Sequence, residues 1–279
     1  DRPPRRRRRW LRAGCIRPLL FLLVLLAAYF FAPFRTNLLV LGIDRVPEGT
    51  TLGRSDTMIL VSVQPFGSQV SMLSIPRDLW VTIPGYGEQR INAAHYFAEA
   101  AEAGTGPQAA METVRANFGV GVRYYLRIRL EGFADVIDAL GGIDVTLGAP
   151  SGAYAAGNYH FDGTEALAFV RDRTGDDFFR MQHAQVFVVS LAKKMLNPLS
   201  WLRLPGALLA VGRAVDTNLP AWQWPRMGLA LLLAGPDGLD TRSLDRTMVY
   251  PFQTLDGAQV LGPNWEAINP MLQEMFGVR

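Results

Sequence analysis

Cysteine is almost absent from this 279-residue chain: Cys15 is the only one. No intramolecular disulfide can form, so the fold must rest on its core. Histidine is nearly as scarce, with His95, His160 and His183 far apart, and a structural zinc site is not expected. Any metal would be a hard cation held by carboxylates. Lysine is confined to Lys193 and Lys194 against 26 arginines, so a single arginine carries little functional information. There is no Gly-x-Ser-x-Gly elbow, no cysteine after Cys15 to serve as a nucleophile and no histidine beside a convincing serine, which sets aside hydrolases of the serine type. A Walker loop and a dinucleotide fingerprint are also missing. No internal repeat or low-complexity segment follows Arg35.

Hydrophobic residues make up 49% of the chain, enough for one good-sized core and too many for a disordered protein. The formal net charge of +3 conceals an asymmetry. Eight arginines (Arg2, Arg5 to Arg9, Arg12, Arg17) precede Pro18, and outside that stretch 20 basic residues face 24 acidic ones. Residues 18–34 carry no charge, and 19–32 are almost wholly Leu, Phe, Val and Ala. This predicts a transmembrane helix of about 25 Å, which Arg17 and Arg35 lengthen by snorkelling. No small-x-small cleavage site occurs in 29–33, which disfavours a removed signal peptide. The positive-inside rule then makes 1–17 a cytoplasmic tail, 18–34 the span of a single-pass cell-membrane protein and 35–279 an extracytoplasmic domain. An arginine cluster can also bind nucleic acid; beside a span the membrane reading is preferred, so no nucleic-acid partner is expected.

Strands are expected at 37–41, 57–63, 69–75 and 79–83, then alanine-rich helices at 92–103 and 107–118. Residues 124–130 alternate arginines with apolar residues, as in a strand with one wet face. A helix at 131–140 stops at Gly141-Gly142, and a strand follows at 143–147. After a small-residue loop at 148–157 come helices at 163–171 and 178–195, then a helix at 222–233, a strand near 248–252 and a terminal helix from Asn264. The sum is an α/β domain of mixed strand order.

Three places carry candidate chemistry. Asp44, closing the first strand, and Asp56, in Gly53-Arg54-Ser55-Asp56-Thr57 at the start of the next, can share a magnesium ion against phosphate oxygens; equally, both acids can terminate strands or cap turns. Ser74-Ile75-Pro76-Arg77-Asp78 breaks a strand and presents an arginine beside an acid. Arg171, Arg173 and Arg180 surround Asp176-Asp177-Phe178-Phe179 at a junction of two helices, which suits either a pyrophosphate site or a solvated salt-bridged junction. Arg171 and Arg173 cannot share a helix face, so either the helix has ended there or only one of them faces the site.

Taken in order, these motifs resemble the LytR-CpsA-Psr family of cell-envelope proteins. The resemblance rests on the Arg-rich tail and span, Asn37-Leu38-Leu39-Val40-Leu41-Gly42-Ile43-Asp44, Gly53-Arg54-Ser55-Asp56-Thr57-Met58, Ser74-Ile75-Pro76-Arg77-Asp78, Arg90-Ile91-Asn92-Ala93-Ala94, Gly141-Gly142-Ile143-Asp144-Val145, and Asp162-Gly163 through Arg171, Arg173, Asp177, Phe178 and Arg180. It implies an α/β/α sandwich with a mixed central sheet and an apolar groove for a polyprenyl tail; the apolar stretches 186–191 and 222–233, more than one sheet needs, are expected to line that groove in part, with a plain core as the alternative. It also implies a phosphotransferase that moves a glycopolymer from polyprenyl pyrophosphate to a sugar hydroxyl of peptidoglycan or another cell-wall acceptor. Asp44 and Asp56 then match acids associated with magnesium. Arg77, Arg171, Arg173 and Arg180 match pyrophosphate-holding arginines, with Arg54 and Arg90 joining the set, and Asp44, Asp56 and Arg77 are the candidate catalytic residues. His183 stands where an arginine is usual, which predicts a clamp titrating near neutral pH, and Gln185 lies one position late. A polyprenyl-pyrophosphate phosphatase and a non-catalytic envelope regulator remain the alternatives.

Overall fold

The computed structural model describes residues 10–31, 34–44, 51–64, 69–172, 174, 177–235 and 238–278. Its elements in chain order are α1 (Trp10–Phe31), β1 (Thr36–Ile43), β2 (Ser55–Gln64), β3 (Gln69–Ile75), β4 (Trp80–Ile83), β5 (Gly87–Arg90), α2 (Ala93–Ala101), α3 (Gly106–Phe118), β6 (Tyr124–Arg129), α4 (Leu130–Ala139), β7 (Ile143–Leu147), β8 (Gly157–Phe161), α5 (Gly163–Val170), α6 (Asp177–Leu196), a short 3-10 segment Pro198–Arg203, α7 (Leu204–Ala214), β9 (Val215–Thr217), α8 (Gln223–Ala234), β10 (Leu239–Ser243), β11 (Val249–Gln253), β12 (Gln259–Pro263) and α9 (Trp265–Phe276).

The near-continuous apolar runs of β1, β2 and β3 are what a sheet covered on both faces requires. Six strands pair in the order β10-β3-β2-β1-β6-β9. The β1/β6 and β3/β10 pairs are parallel and the others antiparallel, so the sheet is mixed. Period-two alternation sorts the side chains. Leu39, Leu41, Ile43, Met58, Leu60 and Leu73 face a core completed by Met111 and Val114 of α3 and by Ile268 and Leu272 of α9. Leu38, Ile59, Val61, Val63, Val70 and Met72 face the opposite way, against Ala230 of α8 with Val188 and Val189 of α6 beside it. The outcome is a helix/sheet/helix sandwich. A leucine as enclosed as Leu60, at 0% exposure, stabilises it by about 1.5–3 kcal/mol through area burial alone.

A third cluster, containing Ile137, Ile143, Phe161, Phe169 and Phe187, ties α4, α5 and α6 to the β7–β8 hairpin. Its Asp162-Gly163 start is structural. Asp162 accepts the Glu165 amide at 2.8 Å, and Glu165 accepts the Asp162 amide at 3.1 Å, a reciprocal cap on α5. Gly163 is required because a Cβ there would lie 2.2 Å from the Ala134 carbonyl oxygen.

The membrane-span expectation falls on α1. Side chains there are described over residues 17–30 only, about 21 Å of helix, and among the described residues no helix is long and apolar enough to cross a membrane. The tail at 1–9 and positions 32–33 lie outside the described residues. Leu19 to Leu26 are exposed, while the Tyr29 hydroxyl meets the Trp222 carbonyl at the edge of α8. The expected groove walls also have a packing role: Val188, Val189, Met227 and Ala230 belong to the core under the sheet. The cavity beside α6, about 340 Å3, mixes Val186 and Val189 with Gln182, Gln185, Ser190 and Lys193.

Candidate functional site

Strand direction brings the candidate residues to one edge of the sheet. Asp44 directly follows β1, Asp56 is the second residue of β2, and Arg77 follows β3 after Pro76 ends it. The pairs Ile43↔Ser55 and Met58↔Ile75 put all three at the carboxyl ends of β1 and β3, the edge at which open α/β sheets present ligands. Arg171 is the C-cap of α5. The helix has therefore ended at that point, the first of the two arrangements the sequence allowed. Arg180 sits in the opening turn of α6, where unpaired amides favour anions.

The charges interlock. Asp44 is 5% exposed at its side chain and forms an ion pair with Arg171. Asp56 Oδ1 accepts from Arg77 at 2.9 Å, and the Asp56 carbonyl accepts from Arg180 at 3.2 Å. Asp78 bridges Arg77 at 3.5 Å and Arg90 at 3.0 Å. Asp44, Asp56, Thr57, Arg171 and Arg180 line one small cavity floored by Leu130 and Val170. Asp56 and Arg180 also line an adjoining one with Ser74, whose hydroxyl is buried without a hydrogen-bond partner. Asp172 steadies the turn after Arg171 by accepting the Ala153 and Thr174 amides at 2.9 and 3.0 Å. Partial burial pushes its carboxyl up, but those amides and the Thr174 hydroxyl act together against it, and the group lies below its ordinary value.

Two acids and two guanidiniums around one cavity suit a phosphate with a hard cation. Among the described residues no group of three or more His, Cys, Asp or Glu forms a protein-only metal cage. A pair of carboxylates, with the orphaned Ser74 hydroxyl near Asp56 in the adjoining cavity, nonetheless fits magnesium, which keeps waters and uses substrate phosphate oxygens as further ligands.

Not every expected residue joins. Arg54 is exposed, with its guanidinium 6.0 Å from the centre of the Tyr96 ring. Arg90 reaches the cluster through Asp78 and also donates to the Gln259 carbonyl at 2.8 Å. Arg173 lies outside the described residues. His183 departs from expectation: it is 0% exposed, stacked on Phe169 at 4.2 Å, with Nδ1 3.1 Å from the Phe169 carbonyl. A ring enclosed in that aromatic cluster belongs to the core and is not among the side chains that line the cavity of Asp44, Asp56, Arg171 and Arg180. Gln185 lines the cavity beside α6 instead.

A buried charge network went unseen in the sequence. Glu99 of α2, 1% exposed at its side chain, accepts the Gly104 and Gly106 amides at 2.9 Å each, the Thr51 hydroxyl, and Arg127 of β6 at 3.2 Å. Arg127 also pairs with Asp216 of β9 at 2.7 Å. Burial pushes the Glu99 carboxyl up, but Thr51, the two amides and Arg127 together hold it below its ordinary value. His95 Nδ1 lies 2.8 Å from the Gly53 carbonyl, and Nε2 lies 3.4 Å from Arg127. Burial lowers the His95 pKa, with Arg127 adding to the effect against the Gly53 contact. Through Thr51 and Gly53 this network anchors the segment that delivers Asp56. At Arg127 the face of β6 expected to be wet is therefore occupied by an internal ion pair, while Arg129 on the same face stays exposed.

The LytR_cpsA_psr family model matches residues 34–276. A polyisoprenyl-teichoic acid--peptidoglycan teichoic acid transferase TagU of Oceanobacillus iheyensis is 42% identical over 194 residues, 66% of this chain and 58% of that protein. The matched region thus spans under two thirds of that relative's length. Among solved structures, B. subtilis TagV superposes with a TM-score of 0.72 at 25% identity, covering 88% of this chain and 99% of that one. TagT bound to LI-WTA gives 0.67 at 25% identity, covering 88% and 91%.

Proposed function

The chain belongs to the LytR-CpsA-Psr family, and from that premise we propose that it is a phosphotransferase attaching a polyprenyl-pyrophosphate-linked glycopolymer to peptidoglycan or a comparable wall polymer. The observation that carries this reading is the single cavity shared by Asp44, Asp56, Arg171 and Arg180, with Arg77 bonded to Asp56. The names of the relatives, which join a polyisoprenyl-linked teichoic acid to peptidoglycan, support the substrate class.

In this reading Arg77, Arg171 and Arg180 hold the pyrophosphate oxygens, Arg77 and Arg171 exchanging a carboxylate and Arg180 the Asp56 carbonyl for phosphate, and Arg173 joins them. An acceptor hydroxyl attacks the phosphorus next to the glycopolymer. Its new P–O bond replaces the bond to the lipid-side phosphate, polyprenyl phosphate leaves, and the hydroxyl proton passes to Asp44 or Asp56. Asp44 and Asp56 would hold magnesium, which neutralises phosphate charge when bound. Arg171 and Arg180 issue from the ends of α5 and α6, which hold their backbones in place while the side chains turn to the leaving phosphate.

We propose further that residues 18–34 anchor the chain in the cell membrane, with the arginines before Pro18 cytoplasmic and the domain outside. That arrangement brings the site to a membrane-embedded donor. Lipid co-purifying with the full chain from a wall-forming bacterium should, by mass, include polyprenyl phosphate or pyrophosphate species, and Arg77→Lys should deplete them. Bulk phospholipid alone, unchanged by Arg77→Lys, would overturn the donor assignment.

A further inference from the structure

Along the carboxyl edge of the sheet, the order β3-β2-β1-β6-β9 sets out Arg77, Asp56, Asp44, Arg129 and Asp216 in that sequence. The proposed donor machinery occupies the β3 to β1 side. On the other side, between β6, β9 and the end of α7, lies a second cavity of about 250 Å3 lined by Thr51, Arg127, Arg129, Arg213 and Asp216. Arg127 and Arg129 are two apart on one strand and so project from the same face. Arg127 is compensated by Glu99 behind it and Asp216 beside it. Arg129 donates to the Arg213 carbonyl at 2.8 Å, and among the described residues no carboxylate reaches salt-bridge distance of Arg129 or Arg213. Three guanidiniums thus meet two carboxylates in a domain whose overall balance is acidic.

We propose that this cavity is an oxyanion subsite for the acceptor, binding a carboxylate carried on the wall glycan and thereby holding its attacking hydroxyl on the β6 side of Asp44. The inference rests on the transferase reading and deepens it. The two exposed guanidiniums offer planar forks to a carboxylate, while the anchored Arg127 supplies a fixed positive wall. Pairing of Ile43 with Arg129 and with Ser55 puts the two half-sites on either flank of Asp44, so donor and acceptor approach it from opposite sides. A phosphate along the donor polymer has the same oxyanion chemistry and is the rival source.

The test uses full-length chain in detergent and the Arg129→Gln/Arg213→Gln double variant, both positions being exposed and outside the donor cluster. Binding is measured for soluble peptidoglycan fragments with free carboxylates, for the same fragments with the carboxylates amidated, for a lipid-free phosphate-containing glycopolymer, and for the polyprenyl-pyrophosphate donor. The wild type should prefer the free-carboxylate fragment by about tenfold. The double variant should lose that preference while binding the donor unchanged. Equal affinity for free and amidated fragments, or a preference that survives in the double variant, would overturn the proposal. So would a loss confined to the phosphate polymer, which would assign the cavity to the donor. Absence of donor binding in the wild type would instead strike the transferase reading, whatever the fragments show.

Discussion

Glu99→Gln is the perturbation whose size the structure fixes most closely. The Glu99 side chain is 1% exposed and its ion-pair partner Arg127 8% exposed, 3.2 Å apart. Glutamine keeps the shape but loses the charge, and its amide nitrogen cannot accept from the Gly106 amide that Glu99 Oε2 now satisfies. Breaking a buried pair from one side typically costs about 3–5 kcal/mol, because the remaining charge stays desolvated. Arg127 retains Asp216 at 2.7 Å, but that carboxylate is half exposed and compensates weakly. For a domain of this size each kcal/mol moves Tm by about 2–4 °C, so Glu99→Gln should lower Tm by about 6–20 °C in a thermal melt of the full chain. A matched Glu99→Met/Arg127→Met pair should recover part of the loss, since replacing both charges removes the uncompensated one. A fall of less than about 2 °C for Glu99→Gln, or a double variant as unstable as the sum of its singles, would refute the reasoning.

Two further predictions follow from the same physics. His95 has a pKa held below its ordinary 6.5 by burial; the unfolded chain takes up that proton first, so stability is full above about pH 6.5 and declines as pH falls from there toward the folded pKa, by at most about 1.4 kcal/mol per pH unit. His95→Gln, which can still donate to Gly53, should flatten that decline in urea titrations below pH 6.5, and an unchanged slope would show that His95 is not its source. Gly163→Ala gains helix propensity but drives a methyl against the Ala134 carbonyl at 2.2 Å; it should destabilise by about 1–3 kcal/mol in the same titration, and a stabilised variant would contradict the packing described.

Much of the sandwich was legible because its strands are buried on both faces and bounded by Gly or Pro. The expectation of 69–75 coincides with β3, and that of 143–147 with β7, a hairpin strand outside the central sheet whose alternating pattern buries one face. The stretch after Met195 hid α7, whose Leu208 and Leu209 stay exposed, so its apolar residues do not sort by face. The three-residue β9 and the five-residue β10 join the sheet through long-range pairing that local patterns do not carry. At the site, the Asp44, Asp56, Arg77, Arg171 and Arg180 cluster could be anticipated because strand ends and helix junctions announce themselves. Glu99 and Arg127 could not: each looks like a surface charge until α2 and β6 are brought together. A glutamate amid the alanines of α2 was the available signal. The burial of His183 was not legible because its position was matched to an arginine, while Phe169 and Tyr154, which enclose it, lie well upstream in sequence.

The most direct measurement is transfer itself. Purified full-length chain is given a polyprenyl-pyrophosphate-linked glycopolymer and peptidoglycan, with magnesium present or chelated, and the linkage formed is read by mass. Polymer joined to the acceptor through one retained phosphate is the expected product, with Arg77→Lys reducing turnover at least about tenfold despite keeping its charge. Asp44→Ala and Asp56→Ala should lose both rate and magnesium dependence. Transfer at the wild-type rate by Asp44→Ala, Asp56→Ala and Arg77→Lys alike would contradict the site, and donor cleaved only by water would contradict the transferase.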